Sequence, residues 1–285
     1  MIQSNLFFSV VIPTYERPDD LEKCLESLSH ESQSGAPSYE LIVTDDSRSD
    51  LCRILVEKQF PQVSWGRGKQ NGPAGNRNAG VARAQGEWIV FIDDDCIAQP
   101  GYLAAYGSAI KSDPTLGALE GRIFPDRPRR PWAEGCPANE TGGMFWTSNL
   151  CVMKSIFLEI GGLDEQFQVA YEDVEFAYRI QKQKIPTSFE PKAAVCHPWR
   201  PLIGDKNWKC QGYENDSLMK FLRKHPEAKQ VYGNPKTYLR NLFRMISSDL
   251  FCCLIKMRGR GIRELCRQII VTSSTLAALV RGRSR

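Results

Sequence analysis

Short apolar runs alternate with amphipathic stretches through the first two hundred residues. Residues 7–14 (FFSVVIPT) predict a strand. Over residues 18–29, Leu21, Cys24, Leu25 and Leu28 recur at the spacing that places them on one face of a helix. Residues 39–44 predict a second strand, residues 51–60 a second helix and residues 63–65 a short third strand. In NGPAGNRNAGVARAQG, Asn71 and Gly72 precede Pro73, which suits a first helical position because its missing N–H would have no partner there. That helix is predicted to run to Gln85 and to stop at Gly86. Residues 88–92 (WIVFI) form a continuous apolar run rich in β-branched and aromatic side chains, as expected of a strand covered on both faces. Such alternation predicts parallel βαβ units and an α/β fold, its mostly parallel sheet flanked by helices.

Further along the rhythm loosens. Residues 102–111 predict a helix and 117–124 a strand, while the Pro-rich segment 125–137 reads as a loop. A strand over 145–153 and a helix over 154–160, ended by Gly161-Gly162, come next. Residues 172–182 predict a helix, and 187–197 contain a last strand. After Pro201 the sequence becomes basic and helix-prone, so the expected division is a domain of residues 1–200 and a mainly helical extension of residues 201–285.

Charge sharpens that division. Residues 1–200 hold 20 Lys and Arg against 27 Asp and Glu, or −7; residues 201–285 hold 17 against 6, or +11. Two stretches of the extension, 238–257 and 262–280, carry apolar residues at helical spacing among arginines. They suit either an anionic membrane surface or a helical cap on the domain. Nucleic acid is not expected as a partner, because no recognised binding motif accompanies the charge. The N-terminus lacks the features of a secretory signal, and no apolar run reaches the ~18 residues of a membrane span. Ten cysteines without a C-x-x-C pair are expected as reduced thiols. A cytoplasmic location follows, peripheral to the inner face of the plasma membrane if the extension binds there.

Chemistry concentrates where the strands end. In open α/β sheets ligands bind outside the carboxyl ends of the strands. Asp45 and Asp46 follow the second strand, and Asp93, Asp94 and Asp95 follow the run WIVFI. Adjacent carboxylates repel, so a compensating positive charge is required: a metal, a basic side chain, or solvent. In extended chain Asp93 and Asp95 point the same way, about 7 Å apart, and can face one ligand while Asp94 faces the protein. Mg²⁺ or Mn²⁺ suits such carboxylates, with substrate phosphates completing its shell.

FSVVIPTYERPDDLEKCLESL, ELIVTDDS, GPAGNRNAGVARAQGEWIVFIDDDC, GGLDEQF and YEDVEFAYRI, in that order, resemble the inverting, nucleotide-sugar-dependent glycosyltransferases of the family 2 type, which have the GT-A fold. The resemblance covers residues 7–200. It implies that Pro13, Thr14, Tyr15 and Glu16 line a nucleotide-sugar pocket with Asp93 and Asp94, that Asp45 or Asp46 accepts a hydrogen bond from the base, and that Arg77 holds base or diphosphate. Asp95 would coordinate a divalent cation in a D-x-D motif. Ser47 and Arg48 depart from the family's D-D-G-S pattern, which implies an altered turn. Asp173 is expected as the base that deprotonates the acceptor hydroxyl, with Glu172 assisting; helix capping is the plainer role for both. His197 is a metal ligand or diphosphate contact in the resemblance, and a structural histidine otherwise. Trp146 and Asn149 are expected near the acceptor or sugar. The implied donor is a nucleotide-diphosphate sugar, most commonly UDP-linked, and the acceptor a saccharide or lipid-linked hydroxyl. A non-catalytic sugar-nucleotide sensor or membrane scaffold of the same fold is the rival reading.

Overall fold

The computed structural model describes residues 6–128, 134–201 and 216–232, with Ser273 beyond them. It divides into two compact units: residues 1–127, 136–168 and 172–198 form the first, and residues 128–135, 169–171 and 199–285 the second. The second unit thus takes two segments from within the first two hundred residues, which no change in composition announced.

The first unit is built on an eight-stranded sheet of order β3-β2-β1-β4-β8-β6-β9-β5. Its strands are β1 (Phe8–Thr14), β2 (Tyr39–Asp45), β3 (Ser64–Arg67), β4 (Trp88–Ile92), β5 (Ile97–Ala98), β6 (Ala118–Pro125), β8 (Asn149–Met153) and β9 (Thr187–His197). The connecting helices are α1 (Pro18–Ser27), α2 (Leu51–Gln59), α3 (Pro73–Val81), α4 (Tyr102–Ser112), α5 (Lys154–Glu159) and α6 (Glu172–Lys182). Strands β1 to β4 are parallel to one another, as the alternation predicts. β8 runs antiparallel to both β4 and β6. Among the described residues of 126–148 no helix occurs that would carry a crossover and return the chain in the parallel sense.

Because successive strand side chains point to opposite faces, β1 feeds two cores. Val10 and Ile12 pack with Leu21, Cys24 and Leu25 of α1, Val56 of α2 and Tyr102 and Tyr106 of α4. Val11 packs on the other face with Ala74 of α3, Phe157 of α5 and Phe176 and Ile180 of α6. β4 is buried at all five positions, the burial its apolar run implies.

Three local expectations are corrected. Helix α3 ends at Val81 rather than Gln85, because Arg83 and Ala84 donate to the carbonyls of Gly80 and Val81 and tighten the chain into turns. The strand expected over 145–153 begins at Asn149, because the buried Glu120 carboxylate captures the N–H groups of Gly143, Met144 and Phe145 at 2.6–2.7 Å and holds that segment out of the sheet. Within the Pro-rich segment lies a short strand, β7 (Glu134–Gly135).

In the second unit β7 pairs antiparallel with β10 (Arg200–Pro201). A helix over residues 216–224 buries Leu218, Phe221 and Leu222, and the Phe221 ring lies 5.1 Å from Tyr232 and 6.2 Å from Tyr171. The stretches 238–257 and, apart from Ser273, 262–280 lie outside the described residues. Among the described residues no helix is long and apolar enough to cross a membrane. Six described cysteines are free thiols, four of them buried.

Candidate active site

A cleft of about 460 Å³ opens at the carboxyl ends of the parallel strands, lined among others by Pro13, Thr14, Tyr15, Asp46, Arg77 and Asp93. Its size lies in the range of small-molecule sites. Two devices shape its rim. Gly72, the N-cap of α3, has φ 100°, and a Cβ there would lie 2.4 Å from the Gln168 carbonyl oxygen, so only glycine fits. Glu16, also at positive φ, turns its carboxylate onto the N–H groups of Arg48 and Ser49 at 2.8 and 3.0 Å. Meanwhile the Ser47 hydroxyl accepts the Glu16 N–H at 2.7 Å. Ser47 and Arg48 therefore give a turn clamped from the β1 loop. Glu16 is exposed and serves that turn rather than the cleft.

The acids after β4 are held by two arginines. Asp94 accepts from the Thr14 hydroxyl at 2.7 Å and from Arg17 Nη1 at 3.0 Å. The same Nη1 reaches Asp95 Oδ2 at 3.2 Å. Asp93 pairs with Arg77, which is buried and also lies 3.5 Å from Glu172. Burial pushes the Asp94 carboxyl up to about 6 against the pull of Arg17 and Thr14. For Arg77 burial works the other way, but the flanking Asp93 and Glu172 outweigh it and raise the guanidinium's pKa. Arg77 thus ties the cleft to the start of α6.

Asp95 Oδ1 faces His197 Nε2 at 3.4 Å, at the end of β9. His197 Nδ1 is 2.7 Å from the carbonyl oxygen of Pro198, a contact that requires the proton on Nδ1. In the neutral ring the Nε2 lone pair then points at a carboxylate oxygen. Two electron-rich atoms in that relation call for a cation between or beside them, whether a second imidazole proton or a metal. Asp95 and His197 suit Mn²⁺ or Mg²⁺ with phosphate oxygens added. The Cys96 thiol is close to both, but burial and the neighbouring aspartates push its pKa far up, so it stays a protonated thiol. The donor set fits a hard divalent cation.

At the first turn of α6, Glu172 and Asp173 differ in their commitments. Glu172 faces Arg77, whereas Asp173 accepts only the adjacent Val174 N–H, at 2.7 Å, and has no ion-pair partner among the described residues. Burial raises the pKa of both, mutual repulsion adds to it for Glu172, and Arg77 opposes. Asp173 is therefore the less engaged of the two carboxylates.

Other expected site residues lie elsewhere. Asp46 lines the cleft, but Asp45 is fully buried, accepting from Ser47 N–H at 2.8 Å and Trp65 Nε1 at 3.3 Å. Asn149 is a core hub. Its Oδ1 accepts the hydroxyls of Tyr102 and Tyr106 at 2.9 and 2.7 Å, and its Nδ2 donates to the carbonyls of Arg122 and Ala193 at 2.9 Å each. No capacity remains for a sugar. Trp146 is half-buried against the same core. Arg17 and Asn76 are among the cleft residues not singled out from the sequence. Arg17 follows a strand as many arginines do, and nothing local says that it meets acids 77 positions on. Asn76 lines the cleft and its Nδ2 donates to the Thr14 carbonyl at 3.3 Å, while its Oδ1 is buried beside Gly68 without a hydrogen-bond partner among the described residues.

Residues 9–149 match the family model described as glycosyl transferase family 2. The chain is 27% identical over 199 residues to an uncharacterized glycosyltransferase of Haemophilus influenzae, covering 64% of each protein. It is 27% identical over 261 residues to the validoxylamine A glucosyltransferase of Streptomyces hygroscopicus subsp. limoneus, covering 76% of this chain and 56% of that one. The chain thus spans about three fifths of the length of these relatives. Its fold matches that of the mannosyltransferase PcManGT from Pyrobaculum calidifontis, solved with GDP-Man and Mn²⁺, at a TM-score of 0.57 and 15% identity, over 97% of this chain and 85% of that one.

Proposed function

The chain belongs, through residues 9–149, to glycosyl transferase family 2, and from that premise we propose that it moves a sugar from a nucleotide-diphosphate donor to an acceptor hydroxyl with inversion at the anomeric carbon. The observation that carries this reading is the pair of charge chains that lead away from the cleft: its lining residues Asp93 and Arg77 reach Glu172, the neighbour of Asp173, and its lining residue Arg17 reaches Asp95, which faces His197. Asp46 accepts the imino N–H of the base, and Asn76 and Arg77 bind and orient the ribose and diphosphate. Asp95 and His197 would hold a divalent cation, which when bound would supply positive charge to the leaving diphosphate. Asp173 takes the proton of the acceptor hydroxyl as its oxygen attacks, and Glu172 keeps Arg77 in place beneath the donor. Attack from the face opposite the diphosphate needs only one base, without a covalent sugar–enzyme intermediate.

UDP is the nucleotide expected from family frequency, though the mannosyltransferase above holds GDP. The acceptor is read as a saccharide or lipid-linked saccharide in polysaccharide or glycolipid synthesis. The basic extension would keep the protein on the cytoplasmic membrane surface.

The test is a panel of UDP-, GDP- and dTDP-sugars with Mn²⁺, scored for donor turnover and, by NMR, for the anomeric configuration of the product. Turnover of at least one donor with inversion is expected. Nucleotide binding without turnover of any donor by the wild type would favour the sensor, and retention of configuration would remove Asp173 from its role.

A further inference from the structure

The geometry points to Arg17 as an internal counter-cation of the Asp94–Asp95 pair that is handed over to the donor diphosphate when the divalent cation binds. This rests on the reading of the cleft as a donor site. Arg17 is the N-cap of α1 and its carbonyl accepts the Leu21 N–H at 3.0 Å, so its backbone is anchored. Its side chain is not. It is 46% exposed, whereas the two carboxylates it meets are 5% exposed each.

The contacts divide the guanidinium unevenly. Nη1 alone serves both acids, at 3.0 and 3.2 Å, while Nε and Nη2 have no hydrogen-bond partner among the described residues. Arg17 lines the same cleft as Thr14, Asn76 and Arg77. An arginine with spare donors on the open side of an anion-binding cleft can take phosphate oxygens in paired, charge-assisted bonds. Asp95 is divided in the complementary way: Oδ2 faces Arg17 and Oδ1 faces His197.

Without donor, Arg17 lies against two nearly buried carboxylates and offsets part of their mutual repulsion. Asp95 and His197 would hold a divalent cation, adding positive charge to an acid that the Arg17 guanidinium already meets at 3.2 Å. Repulsion between cation and guanidinium weakens the grip of Arg17 on Asp95, and an incoming diphosphate receives it. Arg17 is a positioning residue that competes with the metal until donor arrives and cooperates with it afterwards. Metal and donor therefore bind better together than apart.

The opposed signs make the test. Mn²⁺ binding to the full chain is measured by electron paramagnetic resonance of the free ion, and UDP binding by calorimetry with Mn²⁺ present, for wild type, Arg17→Ala and Arg17→Lys. Removing the positive charge is expected to tighten binding of Mn²⁺ alone about tenfold, and to weaken binding of UDP about tenfold. Arg17→Lys, which keeps the charge, returns Mn²⁺ affinity to near the wild-type value while recovering UDP only in part. Should Arg17→Ala weaken both ligands, Arg17 merely braces the acids and the exchange is wrong; unchanged affinities overturn it as well. A wild type that binds neither Mn²⁺ nor UDP would instead overturn the donor-site reading itself.

Discussion

At the residue scale, the site separates charges that local sequence leaves equivalent. Glu172 and Asp173 are neighbours with the same helix terminus, yet one lies within ion-pair distance of Arg77 and the other does not. Asp173→Asn is accordingly expected to lower kcat by about a thousandfold, the scale of general-base loss, with donor KM little changed in steady-state assays. The raised carboxyls also set a pH dependence. A base must be ionised to work, so kcat/KM should rise with pH along a limb lying above the ordinary carboxylate range. Stability runs oppositely. A folded-state pKa above the unfolded value gives a contribution that is complete at pH below the ordinary carboxylate pKa and lost as pH climbs through the raised one. Urea melts of wild type and Asp173→Asn at pH 5 and pH 8 should show the wild type losing ground at the higher pH. Arg77→Met leaves Asp93 and Glu172 without their shared cation and should cost about 3 kcal/mol, read in the same melts.

At the element scale, side chains that look functional in sequence serve to join strands. Asn149 begins β8 and binds two tyrosine hydroxyls of α4 and two carbonyls from β6 and β9. Replacing it by Ala strands these groups in the core, and Asn149→Ala should destabilise the fold by about 3 kcal/mol, with UDP affinity unchanged once the folded fraction is accounted for. A sugar contact would show the reverse pattern. Gly121 explains why this hub fits: a Cβ there would lie 2.2 Å from Asn149 Nδ2 and from the Ala193 carbonyl oxygen. The alternating pattern of β1 to β4 and their helices was legible because periodicity is local. The strand over 149–153 was legible too, but its start was not, because a buried carboxylate 23 to 25 positions upstream takes the hydrogen bonds that residues 143–145 would use in a strand.

At the scale of the whole molecule, charge is divided along the chain, −7 before residue 201 and +11 after it. Surface attraction of this kind is screened within about 8 Å at physiological ionic strength. The full chain should therefore cosediment with vesicles containing anionic lipid at low salt, lose most of that binding at 0.5 M NaCl, and ignore purely zwitterionic vesicles. Binding that is equal on both vesicle types would show that the basic extension does not act through charge.

What the amino-acid order determined here is whatever depends on neighbours a few positions apart: the strand–helix alternation, Pro73 opening α3 behind Gly72, and the accumulation of acids just past β2 and β4. The ordered motifs carried the family as well. Which acid meets which base was left to the tertiary structure. Asp94 and Arg17 are 77 positions apart, Arg77 and Glu172 95, and Asp95 and His197 102. Those pairings arise only when the sheet brings the ends of β1, β4 and β9 and the start of α6 together. Even the choice between Asp45 and Asp46 rested on packing, since burial against Trp65 closes the first and leaves the second open to the cleft. Charges act through space, and the distances that decide them exist only in the folded chain.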